Sequence, residues 1–218
     1  RRGSQFTLGL KITPPYSLIK GTTDAQYAQM TTSEKYNLLE YHKWKFSGKV
    51  FTPLSADSKL VLMARAEFGY LGHYNKNVKS PFESYYMGGD GMSSYSSYST
   101  EYIAMRGYQS GSLTPYDPAT GRNMGYVFNK FTMELRYPIA LEQNATIWAL
   151  AFVEAGNCFA DIRDYNPFNL KRSAGIGVRL FLPMFGLMGI DWGWGFDPIN
   201  GSTQYGGSQF HFVLGQEL

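Results

Sequence analysis

The sequence predicts an all-β fold, a transmembrane antiparallel β-barrel of which eight strands are present here, and three observations predict it. Apolar and polar residues alternate with a period of two in eight segments. Nowhere in the 218 residues is there an apolar run of the roughly 18 residues that a spanning helix needs, so a bilayer crossing falls to strands. The connections alternate between short and long, as they do when turns face one side of a membrane and loops the other. Composition agrees: 17% aromatic residues and 24 Gly accompany only 17% charged residues, below the roughly 25% of soluble domains.

The segments follow in order. Phe6, Leu8, Leu10 and Ile12 alternate with Gln5, Thr7, Gly9 and Lys11. Trp44, Phe46 and Val50 oppose Lys43, Lys45, Ser47 and Lys49, and Leu60, Leu62, Ala64, Ala66 and Phe68 oppose Arg65, Glu67 and Gly69. Phe131, Met133, Leu135 and Tyr137 face away from Lys130, Thr132, Glu134 and Arg136. In 145–156 a weakly apolar face of Ile147, Ala149, Ala151, Val153 and Ala155 backs Trp148, Leu150, Phe152, Glu154 and Gly156. There an acid and aromatics share the inner face, which calls for something inside to pack on them. Ala174, Ile176, Val178, Leu180 and Leu182 oppose Ser173, Gly175, Gly177 and Arg179; Met188, Ile190, Trp192, Trp194 and Phe196 oppose Gly189, Asp191, Gly193 and Gly195. The last strand, within 208–218, sets Phe210, Phe212 and Leu214 against Gln209, His211 and Val213.

Between them, 14–34 is long, 53–58 short, 71–125 very long, 138–144 short, 157–170 long, 183–186 short and 197–207 longer. Pro53, Pro138 and Pro183 are each expected to open a short turn, where a missing N–H ends a strand. A soluble antiparallel sandwich also alternates, but its strands are usually nearer 5–6 residues, and basic side chains among glycines on one face suit a barrel interior better.

Other function classes find little here. A net charge of +3 with dispersed basic residues does not suit nucleic acid. Cys158 is a single thiol, read as structural. His42, His73 and His211 lack metal-ligand spacing, no catalytic triad is recognisable, and Gly88-Gly89-Asp90-Gly91 has no Gly-Lys-Ser/Thr after it, so it is a flexible turn rather than a phosphate loop. Neither catalytic nor metal residues nor a cofactor are expected. The tyrosine- and serine-rich run 85–102 reads as loop. The chain opens Arg1-Arg2-Gly3 without an initiator Met or an apolar signal core, and is expected to be a piece of a longer protein.

Several motifs in order carry a resemblance. They are Phe82-Glu83-Ser84-Tyr85-Tyr86-Met87-Gly88-Gly89, Met105-Arg106-Gly107-Tyr108, Phe152-Val153-Glu154-Ala155-Gly156, Arg172-Ser173-Ala174-Gly175-Ile176-Gly177, and a closing Phe-x-Phe-x-x-Gly from Phe210 to Gly215. Over nearly its whole length the chain resembles the C-terminal half of the barrel of the outer-membrane assembly factors in the bacterial surface antigen family. Leu218 departs from that family's terminal aromatic residue. The resemblance implies that residues 1–218 are the last eight strands of a sixteen-stranded barrel behind periplasmic POTRA domains. It further implies a place in the bacterial outer membrane, a role in folding and inserting β-barrel proteins, and as partners outer-membrane lipids, unfolded outer-membrane clients and accessory lipoproteins, with no nucleic acid.

In that family the longest loop folds into the lumen and its arginine meets acids on the wall. Alternation independently places Glu134 and Glu154 inward on neighbouring strands. Arg106, with its fork of donors, is expected to engage one or both; Gly107 permits a tight turn, and Tyr108 or Met105 is expected to pack on Phe152, two residues from Glu154 and four from Gly156. Loss of Arg106 would leave two acids facing each other. The seam implied by the family involves the terminal strand with Phe210, Phe212, Gly215 and Leu218, where Gly215 allows a kink. A basic pore lined by Lys11, Lys43, Lys45, Lys49, Lys130, Arg136 and Arg179, a related protein-secretion barrel, and a self-contained eight-stranded barrel are the competing expectations.

Overall fold

A computed structural model describes residues 2–37, 39–75, 79–92, 100–118, 121–142 and 145–215. In chain order the strands are β1 (Gly3–Ile12), β2 (His42–Pro53), β3 (Val61–Gly72), β4 (Tyr85–Met87), β5 (Glu101–Ile103), β6 (Tyr116–Asp117), β7 (Arg122–Asn123), β8 (Val127–Leu141), β9 (Thr146–Phe159), β10 (Lys171–Leu182), β11 (Gly186–Pro198) and β12 (Tyr205–Leu214). Eight of them make one antiparallel sheet in the order β1-β2-β3-β8-β9-β10-β11-β12. These wall strands run from 10 to 15 residues, enough for a tilted bilayer crossing.

The sheet is open. β1 and β12 are its two edges and do not pair with each other, so this chain does not close an eight-stranded barrel of its own. No helix among the described residues is long and apolar enough to cross a membrane, which leaves crossing by strands untouched.

The two faces of the sheet invert the pattern of a soluble sandwich. Phe6, Leu8, Phe131, Met133, Ile176, Trp192, Trp194, Phe210 and Phe212 are exposed on the outer face. On the other face Lys43, Lys130, Thr132, Glu134, Glu154, Arg179, Asp191 and His211 are buried. Water would not tolerate so continuous an apolar surface, whereas a lipid environment requires it.

The buried residues are covered by the connection between β3 and β8. Tyr85, Met87, Ile103, Met105, Tyr108, Leu113, Met124 and Tyr126 from the connection pack with Leu71, Phe128 and Cys158 of the wall into the main apolar cluster. Each large side chain so buried contributes about 1.5–3 kcal/mol, and this is what draws the connection inward. The parallel pair β4 and β5 and the two-residue hairpin β6 and β7 give it an internal frame. Cys158 is free and buried in this cluster, as a structural thiol should be.

Three expectations need correction. The fold is mostly β rather than all-β: the first connection carries α1 (Tyr16–Lys20), α2 (Asp24–Gln29) and α3 (Thr32–Lys35). Thr23 with Gln26 and Thr31 with Glu34 form complete capping boxes, a short-range signal that the period-two scan passes over. Pro138 does not open a turn, since β8 continues to Leu141; the strand absorbs the proline at a register shift between Pro138 and Ala140. The terminal strand begins at Tyr205 rather than at 208, since Tyr205 already pairs with Pro198; after Leu214, Gly215 takes φ 72° and its N–H donates to Leu187 O at 2.7 Å, and 216–218 lie outside the described residues.

Candidate functional site

The long connection ends its inward path in a turn at Arg106, and that turn is built by glycines. Gly88, Gly89 and Gly91 all have positive φ. Gly89 donates to Tyr108 O at 3.0 Å and accepts from Met105 N at 2.9 Å, so the Gly88–Gly91 turn is the cradle of the Arg106 turn. Gly107 itself has φ 83°, and a Cβ there would stand 2.8 Å from Gly195 N and from Trp194 C on β11. The glycines Gly193 and Gly195 on the inner face of β11 answer this approach: a Cβ on Gly193 would sit 2.8 Å from Gly107 N. What alternation presented as a small face is the bed of the loop backbone.

Arg106 is fully buried and its guanidinium reaches three strands. Nη2 donates to Glu134 Oε1 on β8 at 2.7 Å and to Glu154 Oε1 on β9 at 2.8 Å. Nε donates to the same Glu154 oxygen at 3.1 Å, and the main-chain N–H of Arg106 donates to Glu154 Oε2 at 2.8 Å. Nη1 lies 3.2 Å from Asp191 Oδ2 on β11. The guanidinium carbon stands 3.6 Å from the centre of the Phe152 ring, a close stack of cation on aromatic face. Burial opposes the charge on Arg106, but the carboxylates of Glu154, Glu134 and Asp191 outweigh it and hold its pKa above the usual value.

The residues placed together from sequence, Arg106, Gly107, Glu134, Phe152 and Glu154, meet in this one cluster. Registry explains how both glutamates reach one arginine: Glu134 pairs with Phe152 and Thr132 with Glu154, so the two carboxylates are diagonal neighbours on one face. The partner of Phe152 differs from the expectation. The guanidinium stacks on it, while the Tyr108 hydroxyl donates to Arg172 O at 2.8 Å and accepts from Asp197 N at 3.3 Å. Burial pushes the Tyr108 phenol up to about 12. Gly156 is buried beside the site, where a Cβ would meet Asn129 O at 2.7 Å and the Met87 methyl carbon at 2.8 Å.

Five wall residues, Lys130, Arg136, Arg179, Asp191 and His211, complete the cluster and escaped the sequence. Each acid already has its own cation: Arg136 is 2.6 Å from Glu134, Lys130 is 3.1 Å from Glu154, and Arg179 is 2.6 Å from Asp191. Loss of Arg106 would therefore leave three wall pairs, not two acids facing each other. His211 is the further partner: its Nε2 accepts from Gly107 N at 2.8 Å, which ties the loop to β12. The signal for Asp191 was present as a lone acid among glycines on an inner face; nothing in the sequence singles out His211 for an atom more than 100 positions away.

The terminal-strand residues lie elsewhere. Phe210 and Phe212 face outward on β12 and do not touch the Arg106 cluster. Gly215 is the first residue past the strand, with nothing within 4 Å of a Cβ built on it, so its glycine serves conformation rather than packing. Leu218 lies outside the described residues.

The Omp85 superfamily domain profile matches residues 17–218. Among curated proteins none matches. The fold is similar to the crystal structure of BamA from Haemophilus ducreyi lacking POTRA domains 1-3, with a TM-score of 0.62 and 19% sequence identity over 97% of this chain. The chain spans 38% of the length of that protein's chain, so the likeness is to a BamA-like barrel half and is one of fold.

Proposed function

The chain belongs to the Omp85 superfamily, and from that membership we propose that it is the C-terminal part of the barrel of an outer-membrane protein assembly factor, which folds and inserts β-barrel proteins into the bacterial outer membrane. The observation that carries the proposal is an inward loop tied to the terminal strand, β12, through Gly107 and His211 on an Omp85 scaffold. Where the seam between that strand and the first strand of the full barrel opens, its N–H and C=O groups are offered to an incoming strand, which adds by β-augmentation. Gly215 follows β12 with a positive φ, a bend at the end of its described pairing.

In the complete protein these eight strands are the last of sixteen behind POTRA domains. Its partners are outer-membrane lipids, unfolded outer-membrane clients and the accessory lipoproteins of an assembly complex. A passive basic pore fits less well. Lys11, Lys43 and Lys45 are bound to loop acids, and Lys130, Arg136 and Arg179 to wall acids, so these cations, expected to line such a pore, are held in ion pairs.

A cysteine pair locking β12 to the first strand of the full-length barrel tests the proposal. Oxidation should block insertion of a client barrel into membranes, and reduction should restore it; undiminished insertion by the locked protein would contradict the role.

A further inference from the structure

The connection is fastened at a second place on the same inner face, toward β1 and β2. Lys43 is buried on β2, and its ammonium lies 3.1 Å from Glu83 Oε2 and 2.9 Å from Glu101 Oε2, while also donating to the Glu83 carbonyl at 2.9 Å. Lys11 on β1 stands 2.9 Å from Glu83, and Lys45 pairs with Glu101. Three lysines from two wall strands thus interleave with two acids that flank β4 and begin β5.

Glu83 adds an independent sign. Among the described residues it is one of two non-glycine residues with positive φ, at 66°, a conformation uncommon for an L side chain unless its surroundings impose it. Here the imposition is visible: Lys43 grips both its carbonyl and its carboxylate. Glu83 stands where the chain enters β4, the position of a hinge for everything that follows.

We propose that Lys11, Lys43 and Lys45 form with Glu83 and Glu101 a second latch, which holds the entrance of the loop in a strained conformation and releases before the Arg106 cluster does. The order of release follows from exposure. Lys11 and Lys45 side chains are 62% and 40% exposed, so ions screen them, whereas the Arg106 side chain and its carboxylates are closed off from solvent. With both latches made, the loop spans from β1 and β2 to β11 and β12 and fixes the spacing across these eight strands. The inference takes the loop to be the mobile part of the proposed assembly factor, but its test reads loop seating and not client insertion, so either can fail alone.

Hydrogen–deuterium exchange on the full-length protein in lipid nanodiscs decides it. Lys43→Gln should speed exchange at 83–87 and 101–103 by about tenfold while 105–108 stay protected. Wild-type protein in about 1 M NaCl should shift the same way. Lys43→Arg, which keeps the charge and the donors between the two acids, should retain protection at least in part. Should Lys43→Gln not fold, Glu101→Gln carries the same test. Unchanged exchange at 83–87 and 101–103, an increase spread evenly over the wall strands, or equal loosening at 105–108 would overturn the proposal.

Discussion

A single carboxylate, Glu154, captures both the side chain and the main chain of Arg106: Oε1 accepts from Nε and Nη2 at 3.1 and 2.8 Å, and Oε2 accepts from the backbone N–H at 2.8 Å. The wall therefore recognises the path of the loop as well as its charge. A lysine at the same position would supply charge without the fork, so Arg106→Lys should loosen the loop nearly as much as Arg106→Gln, measured by amide exchange at 105–108.

The two partners should not be equivalent. The cluster holds four cations, Arg106, Lys130, Arg136 and Arg179, against three acids, Glu134, Glu154 and Asp191. Without Arg106 three cations face three acids, whereas without Glu154 four cations face two. Glu154→Gln should therefore cost on the order of 3–5 kcal/mol and Arg106→Gln clearly less, read from the temperature at which the barrel loses its heat-modifiable mobility on gels.

Gly107 and Gly215 share a positive φ but differ in surroundings. Gly107→Ala adds a Cβ 2.8 Å from the backbone of β11, which cannot yield, and should unseat the Arg106 turn; the expected loss is about 2–4 kcal/mol. Gly215→Ala meets open space and should cost only the conformational penalty, about 1 kcal/mol. Thermal melts of the two variants in the same detergent check the difference.

Acid should open the loop from its entrance. Burial alone would raise the carboxyls of Glu83 and Glu101, but hydrogen bonds from Lys11 and Lys43 on the first, and from Lys45 and Lys43 on the second, bring both below their usual value near 4.5. Groups with depressed folded pKa values contribute stability that is present above about pH 4.5 and is lost as the pH falls through the folded values. Exchange at 83–87 and 101–103 should rise below that pH. At the alkaline end Tyr108, raised to about 12 by burial, contributes stability that is complete below its usual value near 10 and fades as the pH rises toward 12.

His211 offers a neutral-ring acceptor to Gly107 N. His211→Leu should remove the one hydrogen bond described between the loop turn and β12 and speed exchange at Gly107 without loosening the Arg106 contacts to β8 and β9. An equal loss at all three strands would show that β12 carries the whole cluster.

Much of this was legible in the chain because strand periodicity is strict. Phe131, Met133 and Leu135 against Lys130, Thr132 and Glu134 fix a face without any knowledge of neighbours. The inward loop was foreshadowed by Phe152 and Glu154 sharing an inner face, which required an occupant. What stayed hidden depends on contacts across long sequence distances. Lys130, Arg136 and Arg179 read as pore cations until Glu154, Glu134 and Asp191 are seen beside them. Glu83 and Glu101 carry no local mark of their lysine partners, and α2 and α3 are too short for a helical period to emerge.

A double-mutant cycle on Arg106 and Glu154 in the full-length protein, scored by amide exchange of the 105–108 turn, measures the capture itself. Arg106→Gln, Glu154→Gln and the double variant should give a coupling of about 2 kcal/mol or more. Additive effects of the two substitutions would mean that the loop is held in place by its apolar packing and that the arginine does not fasten it.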